Sequence, residues 1–520
     1  MPNALAFLAV FSWPLAVFLL FKFLPRAEAF AWSILGGYLL LPTRAGIDLP
    51  AVPPIDKDGM PILSVVLMLI LGVGAGAAGA RQNRAPAERS GGVLRVVIIV
   101  LVAVLLLSPL ITVNTNHETL VYGPRVLPAL RPYDAISIGS QLMIMVMPFL
   151  LAMRIFSSPQ SHVVLLRCLV FAVLVYTLPA LFEIRMSPQL NVMFYGFFPH
   201  QFAQHIRPGG FRPVVFLHHG LWLAILMAMG ILAAAALWRQ RIFEGGRAAH
   251  WFYAGIYLTL VLLISNNLGA LVIAFLLGPL ALFLGVRTQL LAAAVIAGIV
   301  LVYPMLRGAQ LVPVDSVVAL AEKVSTDRAD SLRFRLENED VLAARSAEKP
   351  LAGWGGYGRN QIFDPNTGDM LSITDGYWIL VIGIFGWLGY IAQFGLLALP
   401  VILLAFRRGE EGMAPATAGL ALVMAASLID LIPNATVSPI TWMVAGAIAG
   451  YCVRRTSDVG DVAMAGVPVA ARPPRQWAVV TDQPEPVVPA DAGAVATPSG
   501  AAGGWVGAQA RPRRRAPRKP

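Results

Sequence analysis

Apolar runs of membrane-spanning length constrain this chain more than any other feature. Four clear examples cover residues 61–80, 96–113, 214–238 and 267–286. A helix needs about 20 apolar residues to cross roughly 30 Å of hydrocarbon, and backbone groups in lipid must pair within their own segment. The runs therefore predict membrane-spanning helices rather than the short alternating segments of a membrane β-barrel.

Composition agrees with a bilayer environment. The 520-residue chain is 57% hydrophobic and only 13% charged, whereas soluble domains are about 25% charged. We predict an all-α polytopic membrane protein with 12–13 transmembrane helices, in which the first run is a retained membrane segment rather than a signal peptide. The predicted spans are 4–24, 28–41, 61–80, 94–113, 135–155, 163–183, 214–238, 251–265, 267–286, 289–306, 376–406, 414–432 and 437–453.

Basic residues in short loops predict the orientation of the spans. Such loops usually stay on the cytoplasmic side, so the alternate loops at 114–134, 184–213 and 307–375 are predicted to face outward. Span 28–41 is short and contains two glycines; without it the count is twelve, and the orientation after residue 61 is the same. The basic loops are 81–95, 239–247, 407–408 and 454–455.

The predicted organisation has four parts. Residues 1–306 form the N-terminal transmembrane helices, 307–375 a large, partly helical external loop, and 376–453 the C-terminal helices. Residues 454–520 are rich in Pro, Ala and Gly and end in a basic cluster, which predicts a disordered cytoplasmic tail. The net charge of +11 is read as a topology signal and an attraction to anionic lipid, not as nucleic-acid binding.

The two cysteines, Cys168 and Cys452, fall within or at the end of apolar spans. They are expected to act as small hydrophobic residues. They do not support a disulfide framework or a thiolate metal site, and we predict no cofactor.

Within the external loop, "VDSVVALAEKV" predicts a helix with Asp315 as its N-cap, and a second helix is predicted over 327–347. The glycines of "KPLAGWGGYGRNQIF" break any helix and would let backbone amides approach a ligand. Trp354 and Tyr357 in this stretch could form a sugar-stacking surface or anchor the loop at the bilayer interface. The loop does not match a P-loop.

Several arginines lie in loops predicted to face outward, although basic residues are usually concentrated in the cytoplasmic loops of membrane proteins. Guanidinium groups there suit an anionic ligand, because they bind phosphate oxygens bidentately. Arg207, Arg212, Arg333 and Arg335 are the candidates. Local ion pairing is the alternative, and it is preferred for Arg125, Arg131 and Arg185.

Four stretches together resemble the O-antigen ligase and polysaccharide polymerase superfamily of integral membrane glycosyltransferases. They are "RPGGFRPVVFLHHGLW", "LLISNNLGALVIAFLLG", "PLAGWGGYGRN" and "DGYWILVIGIFGWLG". The resemblance implies a GT-C-type enzyme in the bacterial inner membrane that uses a polyprenyl-diphosphate-linked glycan at its periplasmic face, without a metal. It places Arg207 and Arg212 at the diphosphate, with Arg333 and Arg335 as further contacts.

The resemblance favours polymerisation over ligation. Ligases of the family usually have a His-Asn pair where this chain has Asp375 and Gly376, whereas "DGYW" approaches the opening typical of polymerases. Transfer to a lipid or protein acceptor is the alternative. In relatives a Ser-Arg pair often stands where this chain has Asn267 and Leu268, so one phosphate contact of the family is missing or is supplied by another arginine.

The predicted reaction needs a general base within hydrogen-bond reach of the acceptor hydroxyl. Asp375, His218 and His219 are the candidates, and the sequence does not choose among them. For the histidine pair the alternative is a structural role at the mouth of a helix. His200 and His205 are expected to be loop histidines, and no metal site is predicted from them.

Two other classes of function fit parts of the sequence. A transporter of lipid-linked oligosaccharide would use polar residues inside spans, such as Asn266 and Asn267, to line a path, but no repeated halves are evident. A scaffold for other envelope polysaccharide assembly proteins would use the tail but would leave the outer arginines unexplained.

Overall fold

The computed structural model describes residues 1–47, 55–74, 92–207, 209–323, 326–408 and 413–454. Within them the chain is mostly helical, and its strands form only two short antiparallel hairpins, β1 (Leu120–Tyr122) with β2 (Arg125–Leu127) and β3 (Ile206–Arg207) with β4 (Gly210–Phe211). The predicted all-α class is confirmed. The predicted disordered tail, apart from Arg454, lies outside the described residues.

Each of the thirteen predicted spans overlaps a helix, because each apolar run can satisfy its backbone only internally; the helix in span 61–80 ends at Ile70, and residues 75–80 lie outside the described chain. The helices are α1 (Ala4–Phe23), α2 (Arg26–Leu40), α3 (Gly59–Ile70), α4 (Gly92–Asn114), α5 (Pro132–Ile155), α6 (Pro159–Met186), α8 (Gly220–Phe243), α9 (Ala249–Ile264), α10 (Leu268–Phe283), α11 (Val286–Gly308), α14 (Tyr377–Phe406), α15 (Pro415–Asp430) and α16 (Pro439–Val453).

Seven of these helices in the described chain are long and apolar enough to cross a membrane: α1, α4, α5, α6, α8, α11 and α14. The others have 12 to 16 residues, which corresponds to a rise of about 18–24 Å at 1.5 Å per residue. That is less than a typical hydrocarbon core of about 30 Å. The protein is thus a multi-pass membrane protein with at least seven helices of spanning length in the described chain, and the shorter helices lie within the other predicted spans.

Three further helices lie between these segments: α7 (Leu190–Tyr195), α12 (Val314–Glu322) and α13 (Thr326–Ala347). The last two confirm the predicted helices of the external loop. The predicted N-cap is wrong, because Asp315 already lies in the first turn of α12.

Small residues allow the central helices to pack closely. Helix α8 is the most buried of the seven long helices and packs against α15, where a Cβ on Gly419 would overlap the Cβ of Ala236. On α16, Gly446 and Gly450 lie against the backbone of Phe149 and Met153 in α5. Small residues at such crossings bring helix backbones together in membranes, so these contacts fix the frame that carries the loops.

Helix α8 begins at Gly220, six residues later than its predicted span, because a buried carboxylate holds the preceding segment out of the helix. Glu183 in α6 accepts hydrogen bonds from the amides of Val214 and Val215 at 2.8 and 2.7 Å. Val215 adopts a positive φ of 55°, which a helix does not tolerate. The segment up to residue 219 therefore forms a loop at the mouth of α8.

Helix α14 contains a break at Gly386, and the glycine-rich loop docks into it. Gly386 has φ 64° and ψ −162°. The amides of Trp354 and Gly355 donate to the carbonyls of Gly383 and Ile384 at 2.8 and 2.9 Å, and the amide of Trp387 donates to Pro350 at 2.8 Å. These loop amides are thus used for docking, which differs from the predicted role in ligand contact.

We expect Gly386→Ala to destabilise the protein by on the order of 2–3 kcal/mol, because a side chain disfavours this φ and ψ and its Cβ would overlap the backbone of Leu351 and Ala352. The thermal unfolding midpoint in detergent measures the effect. Gly298→Ala is the matched control, since no heavy atom beyond its own helix lies within 4 Å of a Cβ there. Equal midpoints for the two variants would contradict the structural role of Gly386.

Candidate functional site

Most of the predicted site residues lie at one end of the helix bundle, which we call the charged end. It comprises the loops 41–47 and 55–58, the described residues of 199–219 and of the predicted external loop 307–375, and the 431–438 loop. A cleft joins several of these parts, since it is lined by Arg44, Asp58, His218 and Val437. Because helix ends from distant parts of the sequence meet here, side chains from separate motifs come into reach of one another.

The β3–β4 hairpin carries Arg207 and Arg212. The amide of Arg212 donates to the carbonyl of His205 at 2.8 Å, and its side chain lies across the first residue of α8, where a Cβ on Gly220 would overlap it. Both arginines are partly exposed. The hairpin therefore presents two guanidinium groups at the mouth of a membrane helix, as the sequence predicts.

Beside this hairpin, His219 adjoins two other histidines, with ring centroids 4.5 Å from His205 and 4.9 Å from His200. Its Nδ1 accepts from the amide of Leu221 at 3.1 Å and caps α8, so the neutral ring carries its proton on Nε2. Burial, followed by His205 and Arg212, lowers the pKa of His219 to about 2. A ring in this state has no lone pair to offer an acceptor hydroxyl, and the predicted role of His219 as a base gives way to helix capping.

His218 faces a different space from its neighbour. It lines a cleft of about 550 Å³ together with Asp56, Asp58 and Trp222, and its ring centroid lies 5.8 Å from that of Trp222. Burial and nearby Lys57 lower the pKa of His218 to about 4. The ring is neutral at physiological pH, and it suits hydrogen bonding better than proton abstraction.

The loop before α3 supplies the charges of this cleft, which sequence reasoning missed. Lys57 is buried and donates to the carbonyls of Leu41 and Phe216 at 2.6 and 2.8 Å, and burial lowers its pKa to about 7. Asp56 accepts from the amides of Asp58 and Gly59 at 3.0 and 2.8 Å. The sequence signal for these residues is the run of three charged side chains, Asp56, Lys57 and Asp58, shortly before the predicted span 61–80.

The two arginines of the external loop point in different directions. Arg335 lies 3.5 Å from the carboxylate of Asp375, whereas Arg333 forms ion pairs with Glu322 and Asp330 at 2.7 and 3.2 Å and is about half exposed. Burial raises the pKa of Asp375, and Arg335 opposes the rise. Arg335 and Asp375 thus form one centre, and Arg333 is not part of it.

The 431–438 loop links this centre to the cleft. Arg335 donates to the carbonyl of Pro433 and the side chain of Asn434, both at 3.4 Å, while Val437 and Ser438 of the same loop line the cleft. Buried Asp430 holds the loop in place through hydrogen bonds from Asn434 and Thr436. The sequence pattern did not identify Asp430, because it reads as the polar end of an apolar span.

Glu339 is a second residue that sequence reasoning missed. It lies one helical turn after Arg335 on α13, is only 5% exposed, and accepts a hydrogen bond from the indole of Trp378 at 3.4 Å. Burial raises the pKa of Glu339 to about 7, against the influence of Trp378 and Arg307; Asp340 and Asp375 add to the rise. A carboxyl with such a pKa can exchange a proton near neutral pH.

This pKa predicts a pH dependence of stability. Since the folded pKa of Glu339 lies above its ordinary value of 4.5, folding favours the protonated form, and its contribution is lost as the pH rises from about 5 to about 8. We expect the unfolding midpoint of the wild type to fall over this range and that of Glu339→Gln to fall less. Parallel pH curves for the two proteins would contradict the assignment.

The predicted sugar-stacking surface is only partly present. Trp354 is 6% exposed, its indole donates to the carbonyl of Arg345 at 2.8 Å, and the Arg345 guanidinium lies 3.3 Å from its ring centroid. The ring is covered rather than open, which favours the loop-anchoring alternative; a glycan contact by Trp354 stays a prediction. Tyr357 is 60% exposed with φ 60° and is accessible to a ligand or a lipid surface.

Two other external charges have structural roles. Arg359 is almost fully buried and donates to Pro128 at 2.8 Å and to Glu118 at 3.1 Å. Lys349 also pairs with Glu118, at 2.5 Å. These contacts tie the predicted external loop to the β1–β2 region, so neither Arg359 nor Lys349 is assigned to the proposed site.

No group of three or more His, Cys, Asp or Glu side chains in the described part of the chain is arranged to hold a metal ion. Comparison with protein-family models gives no match for this chain, and no curated protein matches it.

Proposed function

We propose that this membrane protein is a polysaccharide polymerase that transfers a glycan from a polyprenyl-diphosphate donor to an acceptor sugar hydroxyl. The observation that carries the proposal is the position of Asp375 beside Arg335, at the same end of the bundle as Arg207 and Arg212. The family resemblance described above supports the same reaction.

The chemistry divides between the two charged centres. An acceptor oxygen attacks the anomeric carbon while the bond from that carbon to the diphosphate oxygen breaks, and the lipid diphosphate leaves with the electron pair. Arg207 and Arg212 stabilise the negative charge that grows on the leaving group. Asp375 accepts the proton of the acceptor hydroxyl, and Arg335 keeps this carboxylate oriented. A single displacement of this kind inverts the anomeric configuration.

Glu339 fits a supporting role in this scheme. It is buried one turn from Arg335, and the negative charge of Asp375 adds to the burial that raises the pKa of Glu339. When Glu339 is protonated and Asp375 is ionised, the centre carries only one negative charge. Asp375 can then accept the proton of the acceptor and release it to solvent while Glu339 stays protonated, so the two carboxylates are never ionised together.

The proposed location is the bacterial cytoplasmic membrane with the charged end on the periplasmic side. The arginine-rich short loops at 239–247 and 407–408 lie at the other helix ends, and the positive-inside rule assigns those ends to the cytoplasm. A lipid diphosphate in the outer leaflet would then reach the hairpin of Arg207 and Arg212 from the side.

The test uses the purified full-length protein in nanodiscs with a lipid-diphosphate-linked repeat unit. Glycan length and free lipid diphosphate are followed over time. We expect longer glycans to form as lipid diphosphate is released. Transfer to a different lipid or protein acceptor without lengthening would support the ligase alternative instead. Movement of the lipid between leaflets without bond cleavage would overturn both and support a transporter.

A further inference from the structure

The cleft beside His218 has the size of a ligand site. Its volume of about 550 Å³ lies within the range of roughly 300–1,000 Å³ that is usual for small-molecule pockets. Its walls come from the end of α2, the middle of α5, the starts of α8 and α16, and the loops that contain residues 43–47, 56–58, 218 and 437–438. Four helices and the loops between them therefore shape it, and it is not a groove within one loop.

The cationic groups near the cleft are already engaged. Lys57 lies behind the wall with its ammonium group on two backbone carbonyls. Arg44 donates to the carbonyl of Pro199 at 2.8 Å, and its guanidinium lies 5.7 Å from the ring centroid of Phe197. Because the wall also carries the carboxylates of Asp56 and Asp58 beside Arg44, it suits a diphosphate less well than the hairpin of Arg207 and Arg212 does.

Carboxylate and aromatic groups face the space instead. The carboxylate of Asp58 accepts no hydrogen bond, and the ring nitrogens of His218 make none, among the described residues. The amide of Gln141 is exposed and likewise has no hydrogen-bond partner within the described chain. Tyr38 and Trp222 add aromatic surface. Acceptors without partners beside aromatic rings suit a neutral ligand rich in hydroxyl groups, because hydroxyls donate to the acceptors and C–H faces pack on the rings.

The cleft also lies between the two charged centres. Trp222 contacts the rings of both His218 and His219, at 5.8 and 6.5 Å between centroids, which connects the cleft to the arginine hairpin. The 431–438 loop connects it to the centre of Arg335 and Asp375. A ligand in the cleft would therefore have the proposed diphosphate contacts on one side and the proposed base on the other.

We propose that this cleft binds the uncharged glycan of the reaction, with Asp58 and His218 bonding sugar hydroxyls and Trp222 packing against a sugar ring. The assignment rests on the proposed function for the identity of the glycan. It replaces Trp354, whose ring is buried, as the main glycan contact. The glycan could belong to the donor or to the acceptor, and the chemistry of recognition is the same for both.

The test measures binding separately from turnover. The probe is the repeat-unit oligosaccharide freed from its lipid diphosphate, titrated by calorimetry into full-length protein in detergent. We expect Asp58→Ala to weaken binding by about tenfold or more, because a hydrogen bond to a charged group is lost, and Asp58→Asn to weaken it by less. The Asp58 side chain does not cap α3, so folding should persist. Asp369→Ala, which changes an exposed carboxylate of the external loop, is the matched control.

The outcomes separate the two proposals. Absence of binding by the wild type, or equal binding by wild type and Asp58→Ala of the same unfolding midpoint, overturns the glycan cleft whatever the turnover. Binding that depends on Asp58 without any turnover supports the cleft and counts against the polymerase. Where turnover occurs, a higher KM for added acceptor assigns the cleft to the acceptor, and a higher KM for the lipid-linked donor assigns it to the donor.

Discussion

Replacing Arg212 by alanine is expected to lower glycan transfer by about 10²–10³-fold, because a guanidinium group that meets the developing charge of a diphosphate in a partly dry site is worth several kcal/mol. The structure places this side chain at the mouth of α8, across Gly220 and next to the histidines 205 and 219. The measurement is the rate of lipid diphosphate release in nanodiscs.

Two further variants show whether the loss belongs to the guanidinium group. Arg212→Lys keeps the charge but not the fork of donors, and an intermediate rate is expected. Arg333→Ala removes an arginine that pairs with Glu322 and Asp330 on the outside of the loop, and it should retain nearly the wild-type rate. Because the Arg212 stem also packs on α8, unfolding midpoints are compared. A folded Arg212→Ala protein with normal turnover would remove this residue from the site.

The helices could be predicted from sequence because the period and length of apolar runs are local properties. The errors lie where a distant group overrides the local pattern. Residues 214–219 read as part of an apolar span, yet Glu183 binds the amides of Val214 and Val215 and keeps them out of α8. A single buried carboxylate in another helix therefore determines where α8 begins. The spacing of apolar residues within 214–238 contains no information about that carboxylate.

The glycine-rich loop shows that a sequence motif, too, does not identify its distant partner. Its glycines correctly indicate close backbone approach, but the partner is the break at Gly386 in α14 rather than a ligand. Trp354 similarly reads as an exposed aromatic and is covered by Arg345. The residue types in this loop indicate that another group packs closely against it. Only the tertiary structure identifies that group.

The sequence pointed to several residues that the structure brings to the charged end, but it did not predict how they are arranged there. Arg333 and Arg335 are equivalent by composition, and their positions two residues apart on α13 put them on different faces, which the ion pairs resolve. Glu339 shares the face of Arg335 at helical spacing, so an amphipathic reading of α13 could have found it. Asp56 and Asp58 could be found only by asking why charges precede a span.

The pair formed by Asp375 and Arg335 provides the sharpest test of the mechanism. Asp375→Asn is expected to lower turnover by about 10²–10⁴-fold, the range usual for loss of a general base, while Asp330→Asn, at an exposed ion pair, should change it little. The asparagine keeps the shape of the side chain, so the loss reports proton transfer rather than packing. Wild-type turnover in Asp375→Asn would exclude this carboxylate as the base.

Combining Arg335→Ala with Asp375→Asn distinguishes two roles for Arg335, orienting the base and binding the diphosphate. If Arg335 acts by orienting Asp375, to which it lies 3.5 Å away, then Arg335→Ala should lower turnover on its own but add almost nothing to Asp375→Asn, because residues that act as one unit are not additive. If Arg335 instead contacts the diphosphate independently, as the sequence suggests, the two losses should multiply. The structure favours the first result, because Arg335 lies between Asp375, Asn434 and the carbonyl of Pro433. In this position its guanidinium group contacts the proposed base directly, as expected of a residue that orients the base rather than one that binds the leaving group.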